Sequence, residues 1–419
     1  MFSETEYSVY DFASSISDAV DLVSPDLNDH HKRVAYISYC IAKEMNLPDE
    51  EIKDIVLAAM LHDIGAFTTK DRLDLVRVKF NDSQINNHEE FGYKLLRHFR
   101  PFENAAGLIK HHHAYYNENA NDIPVGGYVI HLADRIAVLL DKSREVLEQV
   151  PEMMEAVERH RAIFHPETVS ALNRLSKIEC FWIEAWLLPA NSVLPQKLRF
   201  VKQTLSLEAV KNLAKTISQM IDFRSRFTAA HSSGVAAVAL ELTRISEFSE
   251  RECRLMEIAG YLHDIGKLAI SDDILEKNGA LDYTEFNAMR KHTYYTYTIL
   301  NRIQGFEQIA AWAAYHHERL DGNGYPFHVA GENFTKLARI MAVADIVTAI
   351  TEDRPYRAGM DSGKAIGVLS GMADNGGIDK GVVEIVKKNF SRINDARIKA
   401  QREAQEEFDA FYSPGVETL

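Results

Sequence analysis

Apolar residues recur every three to four positions along much of this chain, which is the spacing of one face of an α-helix. The pattern is clearest in five segments, which are residues 35–42, 51–61, 253–262, 309–317 and 337–350. Runs of alternating β-branched residues joined by Asn-Gly turns, the signals of β-hairpins, are absent. Leu47-Pro48-Asp49-Glu50-Glu51 is typical of a helix start, because carboxylates stabilise the first turn. The sequence therefore predicts an all-α fold.

The chain also contains a long internal repeat. Met60-Leu61-His62-Asp63-Ile64-Gly65 recurs about 200 residues later as Tyr261-Leu262-His263-Asp264-Ile265-Gly266. Five further positions have counterparts in the same order, and they pair His30 with His231, His88 with His292, His111 with His316, His112 with His317 and Asp134 with Asp345. Because these residues are of metal-ligating type, we interpret the repeat as a duplicated metal-binding domain. We expect the two domains at 1–200 and 201–419.

Composition and charge limit the number of domains and the kinds of molecule or membrane with which the protein is expected to interact. Of 419 residues, 46% are hydrophobic and 26% charged, which is ordinary for a globular protein, and the length suits two domains. A net charge of −14 argues against polymeric nucleic acid as a partner. No apolar run is long enough for a membrane span, and 1–21 lacks a signal-peptide core. The three cysteines, Cys40, Cys180 and Cys253, are widely scattered, which suggests a reducing, cytoplasmic setting. Residues 396–411 are charged and predict a helix on the surface or at a homodimer contact.

The second copy concentrates seven residues that suit divalent transition metals. They are His231, His263, Asp264, His292, His316, His317 and Asp345. An ion that keeps a position open for water uses three or four protein ligands, so seven suit two ions. Asp264 is expected to bridge them, and the ions could share a hydroxide and stabilise the attacking and leaving oxygens of an in-line phosphoryl displacement. Lys267 lies one helical turn beyond His263-Asp264, where its ammonium is expected to hold a phosphate oxygen.

A glycine-rich loop, Asp321-Gly322-Asn323-Gly324-Tyr325-Pro326, follows the adjacent histidines. Its glycines permit positive φ and its proline stiffens the chain, so the loop is a candidate wall of a ligand site. Gly324 and Tyr325 are candidate substrate-binding residues; Tyr325 either stacks on a base or packs structurally. Glu318 either supports a ligand histidine or faces solvent at a helix end.

Arg354 and Arg357 follow Asp345 by fewer than four helical turns. Guanidinium groups bind phosphates and guanine edges in a bidentate manner, so both are candidate substrate contacts. Surface salt bridges are the alternative.

Residues 220–400 resemble the HD-GYP domain, a branch of the HD phosphohydrolase superfamily that hydrolyses cyclic dinucleotides, chiefly cyclic di-GMP. The resemblance rests on His263-Asp264-Ile265-Gly266-Lys267, His316-His317-Glu318 and the Gly-Tyr-Pro loop. It implies a helical-bundle fold, here in tandem, and a centre of two or three iron or manganese ions. It also implies that the seven residues above are the ligands and that Lys267 contacts phosphate, with His263 and Asp264 at the reacting centre. Nickel and zinc also fit histidine and aspartate.

One position departs from some members of that family. Where they carry a glutamate four residues before the first histidine, which helps to hold a third metal, this chain has Phe227. Two ions are therefore expected, with a first cleavage to a linear dinucleotide.

The first copy keeps seven matched positions but loses the phosphate-binding features. The retained residues are His30, His62, Asp63, His88, His111, His112 and Asp134. Ala66 stands in place of Lys267, His113 in place of Glu318, and 114–121 contains no Gly-Tyr-Pro loop. This copy is expected to be a degenerate structural or dimerisation domain, a second phosphohydrolase that acts like a 5′-nucleotidase on the linear product, or a metal-dependent regulatory domain.

The sequence thus predicts a metal-dependent phosphodiesterase for cyclic di-GMP or 3′,3′-cyclic GMP-AMP, with its active site in the second copy. The alternative is a cyclic dinucleotide receptor that binds without turnover.

Overall fold

The computed structural model describes residues 7–22, 24, 27, 29–77, 80, 87–116, 122–187, 204–223, 229–277, 279–353 and 358–413. The chain divides into two compact units, Ser8–Thr204 and Leu205–Leu419, and the second also includes Tyr7. We call them the N-terminal unit and the C-terminal unit.

Ten α-helices occur in the described part of the N-terminal unit. They are α1 (Val9–Asp21), α2 (His30–Glu44), α3 (Asp49–Leu61), α4 (Thr69–Arg77), α5 (His88–Leu96), α6 (Glu103–Ile109), α7 (Val125–Leu139), α8 (Val146–Arg159), α9 (Pro166–Leu175) and α10 (Glu179–Leu187). Helix α2 packs against α3 and α7, which form the centre of this unit. Helix α3 begins after Pro48 with three acidic residues in its first turn, at the helix start that the sequence predicts.

The described part of the C-terminal unit also contains ten α-helices. They are α11 (Leu207–Asp222), α12 (His231–Ile245), α13 (Glu250–Leu262), α14 (Asp272–Leu275), α15 (Tyr283–Met289), α16 (Lys291–Leu300), α17 (Glu307–Ala314), α18 (Lys336–Thr351), α19 (Ser362–Asp374) and α20 (Lys380–Tyr412). Short 3₁₀ helices at Ile265–Ala269 and Tyr315–His317 follow α13 and α17.

Helix α12 is the centre of this unit and packs against α13, α18 and α20. A Cβ on Gly260 would lie 2.5 Å from Ala236 Cα, so glycine permits the close approach of α13 to α12. The helix predicted at 396–411 is the second part of α20, and it packs on α12, where Gln401 lies against Gly234. One face of this segment is buried through Arg397, Ala404 and Phe408 and the rest is partly or fully exposed, so the helix lies at the surface of the unit, as one of the two predictions has it.

Two short strands, β1 (Tyr7–Ser8) and β2 (Thr204–Leu205), pair with each other, and the described residues contain no further strand. The predicted all-α class, with tandem helical bundles, is confirmed. Among the described helices, none combines the length and the apolar character that crossing a bilayer requires.

Candidate metal centres

Helix ends orient three histidines of the C-terminal unit. His263 directly follows α13, His292 is the second residue of α16, and His316 lies in the 3₁₀ helix after α17. The Nδ1 atom of each histidine donates to a backbone carbonyl three residues earlier, at 2.6–2.8 Å; these carbonyls belong to Gly260, Met289 and Ala313. Carbonyls in the last turn of a helix lack helical partners, so they accept these bonds readily. Each imidazole is thereby fixed with the Nε2 lone pair free for a metal.

Asp264 lies between two sets of these side chains. Its Oδ2 is 3.2 Å from His263 Nε2, and its Oδ1 is 3.5 Å from His292 Nε2 and 3.8 Å from His316 Nε2. His231 Nε2 is 3.5 Å from Asp345 Oδ1. Donor atoms about 2.1 Å from one tetrahedral ion are about 3.4 Å apart, so these separations suit shared ions.

Two clusters of ligand atoms result. One brings together His292, His316 and His317, and the other brings together His231, His263 and Asp264. Asp264 has one oxygen toward each cluster, and Asp345 adjoins the second cluster through His231. All seven residues that the sequence predicts as ligands are thus assembled in one site.

Two of the ligand histidines are neutral, as a metal requires, whereas His231 would have to lose a proton to bind one. Burial lowers the pKa of His292 to about 3 and that of His316 to about 4, so both are neutral near pH 7. Burial opposes the charged form of His231 as well, but Glu352 and Asp345 outweigh it and raise its pKa to about 10.

Two buried atoms of this site, His263 Nε2 and Asp264 Oδ1, have no hydrogen-bond partner in the part of the chain that the structure describes. Buried polar atoms without partners are rare in proteins. One divalent cation at each cluster would satisfy both atoms, since His263 Nε2 belongs to one cluster and Asp264 Oδ1 faces the other, so the residues present fit metal ions.

Lys267 lies beside Asp264, the residue between the two clusters. Its Nζ is 2.5 Å from Asp264 Oδ2, and its side chain is 26% exposed. Burial disfavours the ammonium, but the carboxylate of Asp264 outweighs burial and holds the pKa of Lys267 above its ordinary value. The lysine is therefore a cation at the centre, where a phosphate oxygen would bind.

The Gly-Tyr-Pro loop is held by Glu318. The two carboxylate oxygens of Glu318 accept from the backbone N–H groups of Phe327, at 2.8 Å, and Val329, at 3.0 Å, and the residue is buried. The solvent-facing interpretation of Glu318 is wrong because the side chain is buried, and its two oxygens bind N–H groups of the loop. Glu318 fixes the loop after Pro326.

The two loop glycines have different roles. Gly322 has φ +73°, as expected for such a turn. Gly324 does not have positive φ; instead a Cβ there would lie 2.4 Å from Glu318 Cα, so this position requires glycine for close backbone approach. The close approach places Tyr325 with its ring centroid 5.0 Å from that of His317.

Other residues of the site were missed by sequence reasoning. Glu352 accepts from His231 Nδ1 at 3.1 Å, and Gln401 donates to the same carboxylate. Glu352 follows Asp345 by two helical turns and thus shares its helix face, a signal that the sequence contained. Arg290 places its guanidinium 5.0 Å from the ring centroid of Tyr325. Arg354 and Arg357 lie outside the described residues.

The N-terminal unit builds a second cluster from corresponding positions. Asp63 Oδ2 is 3.2 Å from His62 Nε2, and Asp63 Oδ1 is 3.3 Å from His88 Nε2. His30 Nε2 is 3.3 Å from Asp134 Oδ1. His112 Nε2 is 3.1 Å from His88 Nε2. Six of the seven predicted residues are therefore together.

His111 is the exception. His113 joins Asp63, His88 and His112 in one group of ligand atoms, whereas the backbone and Cβ of His111 lie against Gly127. His112 follows His88 at the same distance along the chain as His316 follows His292, so the adjacent histidines of the two copies pair one residue later than the sequence comparison placed them. Ala114, not His113, then corresponds to Glu318, and the site has neither the lysine nor the glutamate of its counterpart.

Comparisons with known proteins agree with this architecture. Residues 28–139 and residues 215–382 each match the HD domain family. The protein is therefore a tandem HD-domain protein, with one HD domain in each unit, and the resemblance predicted from the sequence is confirmed.

Its relatives include bacterial phosphodiesterases. The 3′3′-cGAMP-specific phosphodiesterase 1 of Vibrio cholerae is 27% identical over 391 residues, which cover 89% of this chain and 90% of that protein. A cyclic di-GMP phosphodiesterase of Pseudomonas aeruginosa is 41% identical over 141 residues, 33% of this chain and 34% of that protein. The crystal structure of V-cGAP3, a cyclic GMP-AMP specific phosphodiesterase of V. cholerae, matches 95% of this chain and 98% of its own with a TM-score of 0.62; at 21% identity this supports the shared fold.

Proposed function

We propose that the C-terminal unit hydrolyses a phosphodiester bond of a cyclic dinucleotide with two divalent metal ions. The observation that carries the proposal is the position of Asp264, which has one oxygen toward each of two histidine clusters and Lys267 beside it. This is the arrangement that a two-metal hydrolytic site requires.

The residues have separate tasks in this reaction. His231, His263 and Asp345 would hold one ion, His292, His316 and His317 would hold the other, and Asp264 would contribute one oxygen to each. When bound, such ions supply an activated water and neutralise charge on the phosphate. Lys267 binds a non-bridging phosphate oxygen and stabilises the negative charge that develops during attack. Tyr325, held against His317, forms one wall for the substrate.

We propose 3′,3′-cyclic GMP-AMP as the first candidate substrate, with cleavage to a linear dinucleotide. Its support is the relative that matches along nine-tenths of both chains, which is named for this molecule. Cyclic di-GMP is the second candidate, because relatives named for it match with higher identity over shorter stretches. For the metal we propose iron or manganese; nickel and zinc suit the same donors.

We further propose that the N-terminal unit binds metal. Its clustered imidazoles and carboxylates support this, because such groups are costly to bury unless an ion or protons satisfy them. The absence of a residue equivalent to Lys267 favours a structural or regulatory role over cleavage of the cyclic substrate. Hydrolysis of the linear product's terminal phosphate is the alternative.

Chromatographic product analysis tests the assignment. Wild type, Asp264→Ala and Asp63→Ala are incubated with Mn²⁺ or Fe²⁺ and a panel of cyclic dinucleotides. We expect a linear dinucleotide from wild type and from Asp63→Ala, and none from Asp264→Ala. Full activity of Asp264→Ala would sink the proposal. Tight substrate binding by metal-loaded wild type without turnover would favour the receptor.

A further inference from the structure

His31 distinguishes the N-terminal centre from its counterpart. It follows the ligand-type residue His30 at the start of α2, whereas Ser232 follows His231 at the start of α12. The His31 ring is 1% exposed and its Nε2 is 3.7 Å from Asp63 Oδ2, the oxygen that also faces His62. An additional imidazole thus points into the cluster.

Each unit has an aspartate next to the residue that follows its first histidine, but the two aspartates accept hydrogen bonds from different groups. Asp21 and Asp222 are the last residues of α1 and α11. In the C-terminal unit, Asp222 accepts from the Ser232 hydroxyl at 2.9 Å and from the Ser232 backbone N–H at 3.2 Å. In the N-terminal unit, Asp21 accepts from His31 Nδ1. A carboxylate on one imidazole nitrogen is the partner that metal-ligating histidines usually have.

Three imidazoles surround a common point in the N-terminal cluster. The ring centroids of His30, His31 and His62 are 4.9–5.4 Å from one another. The nearest ligand atoms of His31, His62 and Asp63 all lie within 4.8 Å of one another. Those separations suit donors around a single ion.

The Nε2 atom of His31 is buried and, among the described residues, has no hydrogen-bond partner. The same holds for His62 Nε2 beside it. With its Nδ1 engaged by Asp21, His31 has its Nε2 atom left for a metal in the cluster. A cation there satisfies both imidazoles.

We propose that His31 is an additional metal ligand that only the N-terminal unit has. The ion at His62 then has five protein ligands, which are His30, His31, His62, Asp63 and Asp134; its counterpart has four, which are His231, His263, Asp264 and Asp345. The inference rests on the proposed metal binding by the N-terminal unit.

The extra ligand has a functional consequence. A six-coordinate ion with five protein ligands keeps one open position, and its counterpart keeps two. Hydroxide and a phosphate oxygen need separate positions on the ions during hydrolysis. The N-terminal ion is therefore held more tightly and is less able to take a phosphodiester, which suits a retained structural or regulatory metal.

Co²⁺ titration of the full-length protein tests the inference. The parent carries Asp264→Ala, which removes the bridging carboxylate of the C-terminal centre, so the remaining strong binding reports on the N-terminal unit. His31→Ser, which installs the serine of the other copy, is expected to weaken Co²⁺ binding at least about tenfold and to change the Co²⁺ absorption spectrum. Asp21→Asn is expected to weaken binding about 10- to 100-fold through the orientation of His31.

Three further variants separate the possible failures. Ser232→Ala, at the matching position of the C-terminal unit, should leave Co²⁺ binding as in the parent. If Asp63→Ala in the parent abolishes binding but His31→Ser and His31→Gln change neither affinity nor spectrum, His31 is no ligand and the inference falls alone. If Asp63→Ala binds as much Co²⁺ as the parent, the N-terminal unit holds no metal and both proposals fall. Circular dichroism in EDTA establishes that each variant is folded.

Discussion

Gly266 lies directly against the backbone of His292, and a Cβ on this glycine would be 1.9 Å from the His292 carbonyl oxygen. The first copy repeats the contact, since a Cβ on Gly65 would be 2.1 Å from the His88 carbonyl oxygen. The glycine after each His-Asp-Ile thus permits the next histidine-bearing helix to approach the bridging aspartate.

Gly266→Ala should therefore displace α16. We expect a loss of about 1–3 kcal/mol in the free energy of unfolding from overpacking. Because about 1 Å of misplacement costs about 100-fold in rate, hydrolysis should fall by about that factor. Urea unfolding and turnover measure the two effects. Gly367→Ala is the control, since a Cβ there meets nothing within 4 Å inside α19; it should keep full activity.

Lys267→Ala separates phosphate binding from metal binding. The ammonium lies beside Asp264 but is not a metal ligand, so bound metal should be retained while kcat falls about 10²- to 10³-fold. Metal analysis after dialysis and steady-state kinetics measure both quantities. Lys364→Ala, which changes an exposed side chain on α19, should alter neither. Loss of metal together with activity would show that Lys267 acts by positioning Asp264.

Glu318→Gln tests how the Gly-Tyr-Pro loop is held. One glutamine oxygen cannot replace two carboxylate oxygens that accept from Phe327 and Val329, so one part-buried N–H loses a good acceptor. That costs about 1–3 kcal/mol in unfolding free energy. Because the loop carries Tyr325 and not the metal ligands, KM should rise more than kcat falls. The exposed Glu332→Gln is the control. An unchanged KM would count against Tyr325 as a substrate wall.

The features that could be predicted from the sequence are those that leave a pattern in neighbouring or repeated residues. Helical periodicity predicted the bundles, and repetition in one order identified the histidines and aspartates. Contacts between distant elements were less accessible: Glu318 turns to the backbone at Phe327, and Asp21 reaches His31 from the preceding helix. The one-residue shift of the pair from His111-His112 to His112-His113 was not predicted, because three adjacent histidines match a pair equally well in sequence and only the fold determines which of them face the cluster.

Asp222 makes the stability of the metal-free protein depend on pH. Burial outweighs His231 and Ser232 and raises the pKa of this carboxyl to about 7. A carboxyl with a raised pKa in the folded state contributes full stability below its unfolded pKa and loses it as pH rises through the folded value. The wild type should thus lose stability between pH 4 and pH 8.

Asp222→Asn should remove much of that loss, because the neutral amide carries no buried charge. Its oxygen can accept from the Ser232 N–H, and the Ser232 hydroxyl can turn to accept from its NH2 group. At pH 8 we expect the variant to be more stable than wild type by roughly 2–4 kcal/mol. Urea unfolding in EDTA at pH 5 and pH 8 measures the difference. Asp374→Asn, at an exposed position, should follow the wild-type profile. If Asp222→Asn and wild type lose the same stability between the two pH values, the Asp222 carboxyl is not the titrating group.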